Sequence, residues 1–552
     1  MRKRNQNRWI FSLFVLIMLG FGVFSFHQYR QAVYTASLDT RPLNVGVVGD
    51  ITTLHPALMS HHSERVMASA LYEGLLTYDQ ESTTIQPFLA KSWKYAPDGK
   101  SMTLYLKEAA FSNGKKVTAS LVKASWEKNF MVTKEWSNIS MFLPIVGAEE
   151  RLNGKTQEIT GIKAINDKTL KIEFKEPHAA FAYVLTNAMF WVMDESEGTE
   201  LGAGTGPYVL QQKMDNSMML IRNEQYHRGL SKLTAIHVQS FQGGSDALNA
   251  YYSEKLDYLD EIPSQQITSL VSDPKYKQQL IEKPIMEVYW LGFNLNREPF
   301  VNNYMLRRAI NYAIDRETMI KKILGGGYQA ARGVIPEGTV GFNQQIMGYH
   351  YNKEKAEDLL AEAGYPGGQG LKPLTLTYNS GVGHQQIVAE VVRQLGEIGV
   401  VVEVQEEEWD VYKKHLSNMS VSFFRLGWVA DYPDADNYLF SLFHSSKVGV
   451  SNLMGYRNPQ VDRILDASRA EYRSPEERIK LMQRAEQIII DDAPCVFLFQ
   501  KKGCKLVSQN VRNLNIDCME MIDWYQVELA KPDIDVSKPG KAPENSSDAQ
   551  KI

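Results

Sequence analysis

Apolar and polar positions change period several times along the chain. Leu43, Val45 and Val47 alternate with smaller or polar neighbours, which predicts a strand over 43–50. The next segment, 63–76, spaces Val66, Ala70, Leu71 and Leu75 as a helix does. Residues 88–129 read as two short strands about the turn Pro97-Asp98-Gly99, a second turn at Asn113-Gly114, and a helix from about Ala119. Further on, 204–210 marks a turn into a strand, and 246–263 a helix followed by a short strand. From Val288 a strand leads to LRRAINYAIDRETMIKKIL, predicted as one helix with Ile310, Ala313, Ile314 and Met319 facing a core, closed by Gly325-Gly326-Gly327. A glycine run that follows its helix is an end signal, since a phosphate loop precedes its helix.

The clearest architecture lies between 372 and 430. Strand 374–378, helix 386–399, strand 400–405, helix 409–416 and strand 421–428 alternate, and that alternation implies a parallel sheet. Ligands of open α/β sheets bind beyond the carboxyl ends of strands. Trp409 follows one such end, and Arg425, Trp428 and Asp431 cluster at the next within RLGWVADYPDADNY. Aromatic and ionic groups set together at a strand exit suggest the wall of a ligand cleft.

Composition narrows the partners. A chain of 552 residues can bury a large core and divide into two to four domains or subdomains. Its formal charge of -4 and the lack of a basic block after residue 8 argue against nucleic acid. MRKRNQNR places cations before a run that is uncharged from Trp9 to Phe26, the pattern of an export signal. Val23 and Ser25 make a weak cleavage site and the run is long enough to span a bilayer, so the reading favours retention as an anchor. No cysteine follows the run to be lipidated; Cys495, Cys504 and Cys518 lie near the other end. Cys495 and Cys504 flank VFLF and are compatible with a hairpin pairing, but no metal-ligand spacing is present and no cysteine chemistry is expected.

Other motifs weaken on inspection. Gly99-Lys100-Ser101 mimics the end of a phosphate loop, but Lys94 stands where its first glycine belongs. No G-x-S-x-G or H-E-x-x-H pattern points to a hydrolase. His61 and His62 have no third ligand nearby in sequence and read as a surface or cleft-edge loop. Residues 531–552, with Pro532, Pro539 and Pro543 among polar side chains, read as a disordered tail.

LNVGVVGDITTLHPAL, LYEGLLTYD, the segment from Ile85 to Ser120, GTGPYVL, RNEQYHRG, FNLNREPFVNNYMLRRAINYAID, KAEDLLAEAGYP and GWVADYPDADNYLFSLF together resemble the peptide/nickel-type extracellular solute-binding family (family 5). They occur in family order over about 43–528. The resemblance implies an α/β, two-lobed periplasmic-binding-protein fold, class II and three-domain subtype, with mixed sheets and a cleft between lobes. Lobe I would combine 43–74, 204–283 and 505–530, with an extra domain at 75–203; lobe II would be 284–504, and 1–30 the signal or anchor.

The implied function is capture of peptides and delivery to an ABC permease in the inner membrane, by a monomeric extracytoplasmic protein that is not an enzyme and needs no cofactor. Nickel, haem or sugar binding in the same fold, or a tethered ligand sensor, are the alternatives. By resemblance to oligopeptide-binding members, Asp431 would hold the peptide's amino terminus, and Arg425 and Trp409 match cleft positions. Ser60, His61 and His62 would lend backbone groups to an extended peptide. Trp428 would supply apolar surface, and Arg425 either takes a ligand carboxylate or pairs with an acid such as Asp434. The family's usual aspartate before the early proline is His55 here.

Overall fold

The computed structural model describes residues 39–531 apart from 134, 197, 199, 200 and 382. The apolar run Trp9–Phe26 and the tail beyond Lys531 lie outside the described residues. Among the described residues no helix is long and apolar enough to cross a membrane.

One mixed sheet of eleven strands runs through the molecule. Its strands in chain order are β1 (Leu43–Val48), β2 (Tyr208–Met214), β3 (Ser217–Arg222), β4 (Ala235–Phe241), β5 (Tyr258–Leu259), β6 (Leu280–Phe293), β7 (Tyr328–Ala330), β8 (Leu374–Asn379), β9 (Val402–Glu407), β10 (Phe423–Val429) and β11 (Cys495–Val507). They lie in the order β9-β8-β10-β6-β11-β5-β1-β4-β3-β2, with β7 paired to β11 off this path. β8 is parallel to both β9 and β10, as the alternating run predicts, whereas β10 is antiparallel to β6.

The long strands β6 and β11 join the two halves. Leu280–Pro284 pair with Lys502–Leu506 on the side of β5 and β1, and Val288–Gly292 pair with Cys495–Gln500 beside β10. Register shifts between Pro284 and Val288, so the ladder is interrupted where the chain passes from one half to the other. Beyond that point β6 alternates with period two: Val288 and Trp290 enter one core, Tyr289, Leu291 and Phe293 another on the opposite face. Helices therefore cover both faces of this half.

A separate antiparallel sheet orders Ala90–Tyr95, Ser101–Leu106, Thr169–Glu173 and Ile162–Asn166. Against its core packs the helix Ala119–Val132, begun by Thr118, whose hydroxyl accepts from the Leu121 amide. Val122, Trp126 and Phe130 recur at helical spacing on its buried face. The Trp126 indole donates to the Phe190 carbonyl at 2.8 Å, satisfying the polar atom of a fully buried ring.

Three expectations need correction. The helix predicted over 63–76 covers only His62–Ala68. The amides of Gly206 and Tyr208 donate to the carbonyls of Leu71 and Ala70, and the chain from Ala70 onward is held by GTGPY instead of by its own helix. A Cβ on Gly204 would sit 1.9 Å from the Leu71 oxygen, and one on Gly206 would sit 2.5 Å from the Ala70 oxygen; this close backbone approach explains both glycines.

The single helix expected after Val288 is broken: Tyr304–Ala313 ends at Ile314, and a new turn starts at Arg316 with Asp315 as its cap. The buried Arg316 guanidinium donates to the carbonyls of Asn311, Ile314, Tyr349 and Phe497, tying the break in place. Cys495 and Cys504 lie on the one strand β11, nine residues and roughly 30 Å apart along it, which rules out the hairpin pairing. All three cysteines are free and buried.

One buried acid makes the fold pH-sensitive. Glu486, on the helix Pro475–Asp492, accepts from the Val334 and Ile335 amides at 3.1 Å each, while its other oxygen has no partner. Burial pushes its pKa up to about 8, against the opposing backbone hydrogen bonds. The folded state therefore holds a proton that the unfolded chain releases in the ordinary carboxylate range. Stability should be full below that range and fall as pH rises toward 8, at most by about 1.4 kcal/mol per pH unit. Glu486→Gln should flatten this slope; melting temperatures from pH 5 to 9 that decline equally in both proteins would refute it.

Candidate ligand-binding cleft

Two cavities meet at the exit of β10. The inner one, about 440 Å³, lies beside the β6 crossing, with Ile285, Met286 and Glu287 in its wall, and is closed from the other side by Ser60, His62 and Arg65. The outer one, about 1040 Å³, takes Trp409, Trp428 and Phe440 in its wall. Asp431 and Ser137 belong to both walls.

Asp431 is held by amides rather than cations. Its carbonyl accepts from the Asn187 side chain at 2.7 Å, its carboxylate from the Asn437 side chain at 3.4 Å, and its own amide donates to Asn437 at 3.3 Å. Burial raises its pKa, opposed by the Asn437 hydrogen bond and the charge of Arg65. It forms no ion pair among the described residues. A carboxylate desolvated without a cation is primed for a cationic group of a ligand.

The residues after Asp431 explain why the loop holds its shape. Asp434 receives two short hydrogen bonds from Arg478, 2.6 and 2.8 Å, with both side chains almost wholly buried. Asp436, at the start of the helix Asp436–Phe443, receives 2.7 and 2.8 Å bonds from Arg469 and accepts from the Tyr432 hydroxyl at 2.9 Å. Of the three aspartates in the motif, two are thus consumed by buried bidentate pairs, leaving Asp431 for the cleft.

The other expected site residues divide. Trp428 donates from its indole to Asn437 at 2.7 Å and so braces the amide that holds Asp431. Trp409 begins the helix Trp409–Ser417 and is 45% exposed, while Tyr412 and Leu416 of the same helix are buried. Ser60 and His62 line the inner cavity, but His61 caps the helix His62–Ala68, has a side chain 64% exposed, and lines neither cavity. Ser60 and His61 have their amides bound to Glu64, 2.9 and 3.0 Å, so those donors are already committed. His62 lies 3.3 Å from Asp260 and 3.7 Å from Glu520, which share Lys505 at 3.2 and 2.8 Å.

Arg425 also stands outside both walls. Its guanidinium lies over the Tyr289 ring at 4.3 Å and donates to Asn379 at 3.1 Å, and Asp434, its alternative partner, belongs to Arg478. At the position before the early proline, His55 accepts at Nδ1 from the Ala57 amide at 3.1 Å, and its Nε2 faces Glu195 at 3.5 Å. Sequence reasoning missed Arg65, Asn187 and Glu287. Only Arg65 carried a signal, at helical spacing three residues beyond His62.

Residues 84–449 match the family described as bacterial extracellular solute-binding proteins, family 5. The chain is 28% identical over 498 residues to the oligopeptide-binding protein OppA of Bacillus subtilis strain 168, covering 86% of this chain and 90% of that protein. It is 26% identical over 478 residues to heme-binding protein A of Haemophilus influenzae, covering 82% and 85%. In fold it matches the periplasmic murein tripeptide-binding protein MppA, unliganded open form, with a TM-score of 0.78 at 24% identity, over 90% of this chain and 99% of that one. The chain belongs to the bacterial extracellular solute-binding proteins, family 5, with their two-lobed α/β fold, and is an extracytoplasmic binding protein, not an enzyme.

Proposed function

We propose that this protein captures peptides in the cleft between its lobes and passes them to an ABC permease in the inner membrane. The observation that carries the reading is Asp431: a half-buried carboxylate that forms no ion pair among the described residues, at the junction of two cavities. A peptide ammonium there would form a charge-assisted hydrogen bond worth roughly 1.5–3 kcal/mol. Side chains of the bound peptide would reach the outer cavity, where Trp409 and Trp428 offer rigid apolar surface. The oligopeptide-binding relative supports this choice of ligand.

The haem-binding relative favours a second ligand in the same fold. Against it, His62, the histidine in the inner wall, is engaged by Asp260 and Glu520. For nickel, no group of three or more His, Cys, Asp or Glu side chains is arranged to hold a metal ion among the described residues. Native mass spectrometry of ligand carried through purification of the full chain separates these readings. Peptide masses are expected; haem, a sugar or a metal without peptide would displace the proposal.

We also infer that Trp9–Phe26 is retained and tethers the protein to the inner membrane, restricting delivery to nearby permeases or sensors. The intact protein should then fractionate with membranes and give the mass of the uncut chain. A soluble mature form beginning near Phe26 or Ser37 would overturn the tether and leave peptide binding untouched.

A further inference from the structure

The wall of the inner cavity contains one arginine, Arg65, that the peptide reading does not use. Arg65, on the helix His62–Ala68, lines the inner cavity together with Asp431, which follows the end of β10. The Arg65 side chain makes no hydrogen bond and no ion pair among the described residues. Two of the acids around it are otherwise engaged: Glu64 accepts from the Thr52 hydroxyl and from the amides of Thr52, Thr53, Ser60 and His61, and Glu520 is bound by Lys505 at 2.8 Å. Glu287 is in the field of Lys501, and Glu135 is exposed. Burial lowers the Arg65 pKa, opposed by the charges of Glu520, Asp431 and Glu64.

We propose that Arg65 is the ligand's carboxylate anchor, set opposite the ammonium on Asp431, so that the inner cavity selects a compact zwitterion. This rests on the peptide reading and narrows it to short peptides whose carboxylate lies close to the amino terminus. A guanidinium suits the role because its planar fork meets both carboxylate oxygens, and a cavity of about 440 Å³ brings the opposite charges within one small ligand. Either the C-terminus or an acidic side chain offers the same group.

The test uses trialanine, trialanine amide and Ala-Glu-Ala amide in calorimetric titrations of the wild type, Arg65→Gln, Arg65→Lys and Arg425→Gln. Amidating trialanine should weaken binding to the wild type about ten- to hundred-fold and matter little to Arg65→Gln, since both changes delete one interaction. Arg65→Lys should retain part of the discrimination, and Arg425→Gln all of it. Recovery of affinity in Ala-Glu-Ala amide would assign the carboxylate to a side chain, and its absence to the C-terminus; either agrees with the proposal.

Amidation losses equal in wild type and Arg65→Gln, or abolished in Arg425→Gln instead, would overturn the anchor while leaving peptide binding standing. Failure of all three peptides to bind the wild type would overturn both. A circular dichroism spectrum unchanged in Arg65→Gln, or the graded response of Arg65→Lys, separates recognition from misfolding.

Discussion

Replacing Asp434 with alanine should destabilise the protein by about 3–5 kcal/mol, because it strands the buried guanidinium of Arg478 without a counter-charge. The two side chains are 0% and 6% exposed, and the bidentate contact replaces the water both have lost. Desolvation by itself would lower the Arg478 pKa, yet the net shift is upward because Asp434 outweighs it. Exposed pairs such as Lys480 with Glu477 should by contrast cost under about 1 kcal/mol when broken. Replacing both partners at once with apolar residues of similar volume should recover most of the loss, since no unpaired charge remains. Urea unfolding of the single and double variants measures this. A single variant within 1 kcal/mol of wild type would show that the pair does not hold the loop.

That pair also bears on ligand binding. Asp434 and Asp436 fix the segment that follows β10, and Tyr432 between Asp431 and Asp434 packs into the core of the domain built on the four-stranded sheet. Asn187 of that domain reaches back to the Asp431 carbonyl. The position of the cleft carboxylate is therefore set by two buried ion pairs and a contact between different parts of the chain.

The alternating run 374–429 was legible because its periods are local: every strand and helix predicted there is present, shifted by at most three residues at its ends. The truncated helix after His62 was not legible, because Ala70 and Leu71 have suitable helical spacing and lose their carbonyls only to an amide pair more than 130 residues away. The break at Ile314 has a similar origin, since Arg316 is drawn by the carbonyl of Phe497 on β11.

At the site, the sequence placed Trp409 after one strand end and Arg425, Trp428 and Asp431 at the next, and the structure puts Trp409, Trp428 and Asp431 in the outer cavity wall. The resemblance singled out Asp431, but the arginines that engage Asp434 and Asp436 were not legible, because Arg478 and Arg469 lie on helices dozens of residues downstream. Arg425 shares that limit: its partners Tyr289 and Asn379 come from neighbouring strands and draw it away from both cavities.

The largest effect on binding should come from Asp431→Asn, which keeps size and most hydrogen-bonding geometry but removes the charge. If a peptide ammonium sits against this carboxylate, the change leaves the ammonium unpaired in a desolvated place, at a cost of about 2–5 kcal/mol, or tens- to thousands-fold in Kd. Trp428 and Asn437, which support the loop, remain in place, so the fold should be little affected.

The most direct test of the central claim is calorimetric titration of wild type and Asp431→Asn, each with trialanine and N-acetyl-trialanine. Acetylation should weaken binding to the wild type about as much as the mutation does, and add little in the mutant, since both delete the same contact. Equal losses from acetylation in the two proteins would contradict the account and show that Asp431 grips something other than the amino group.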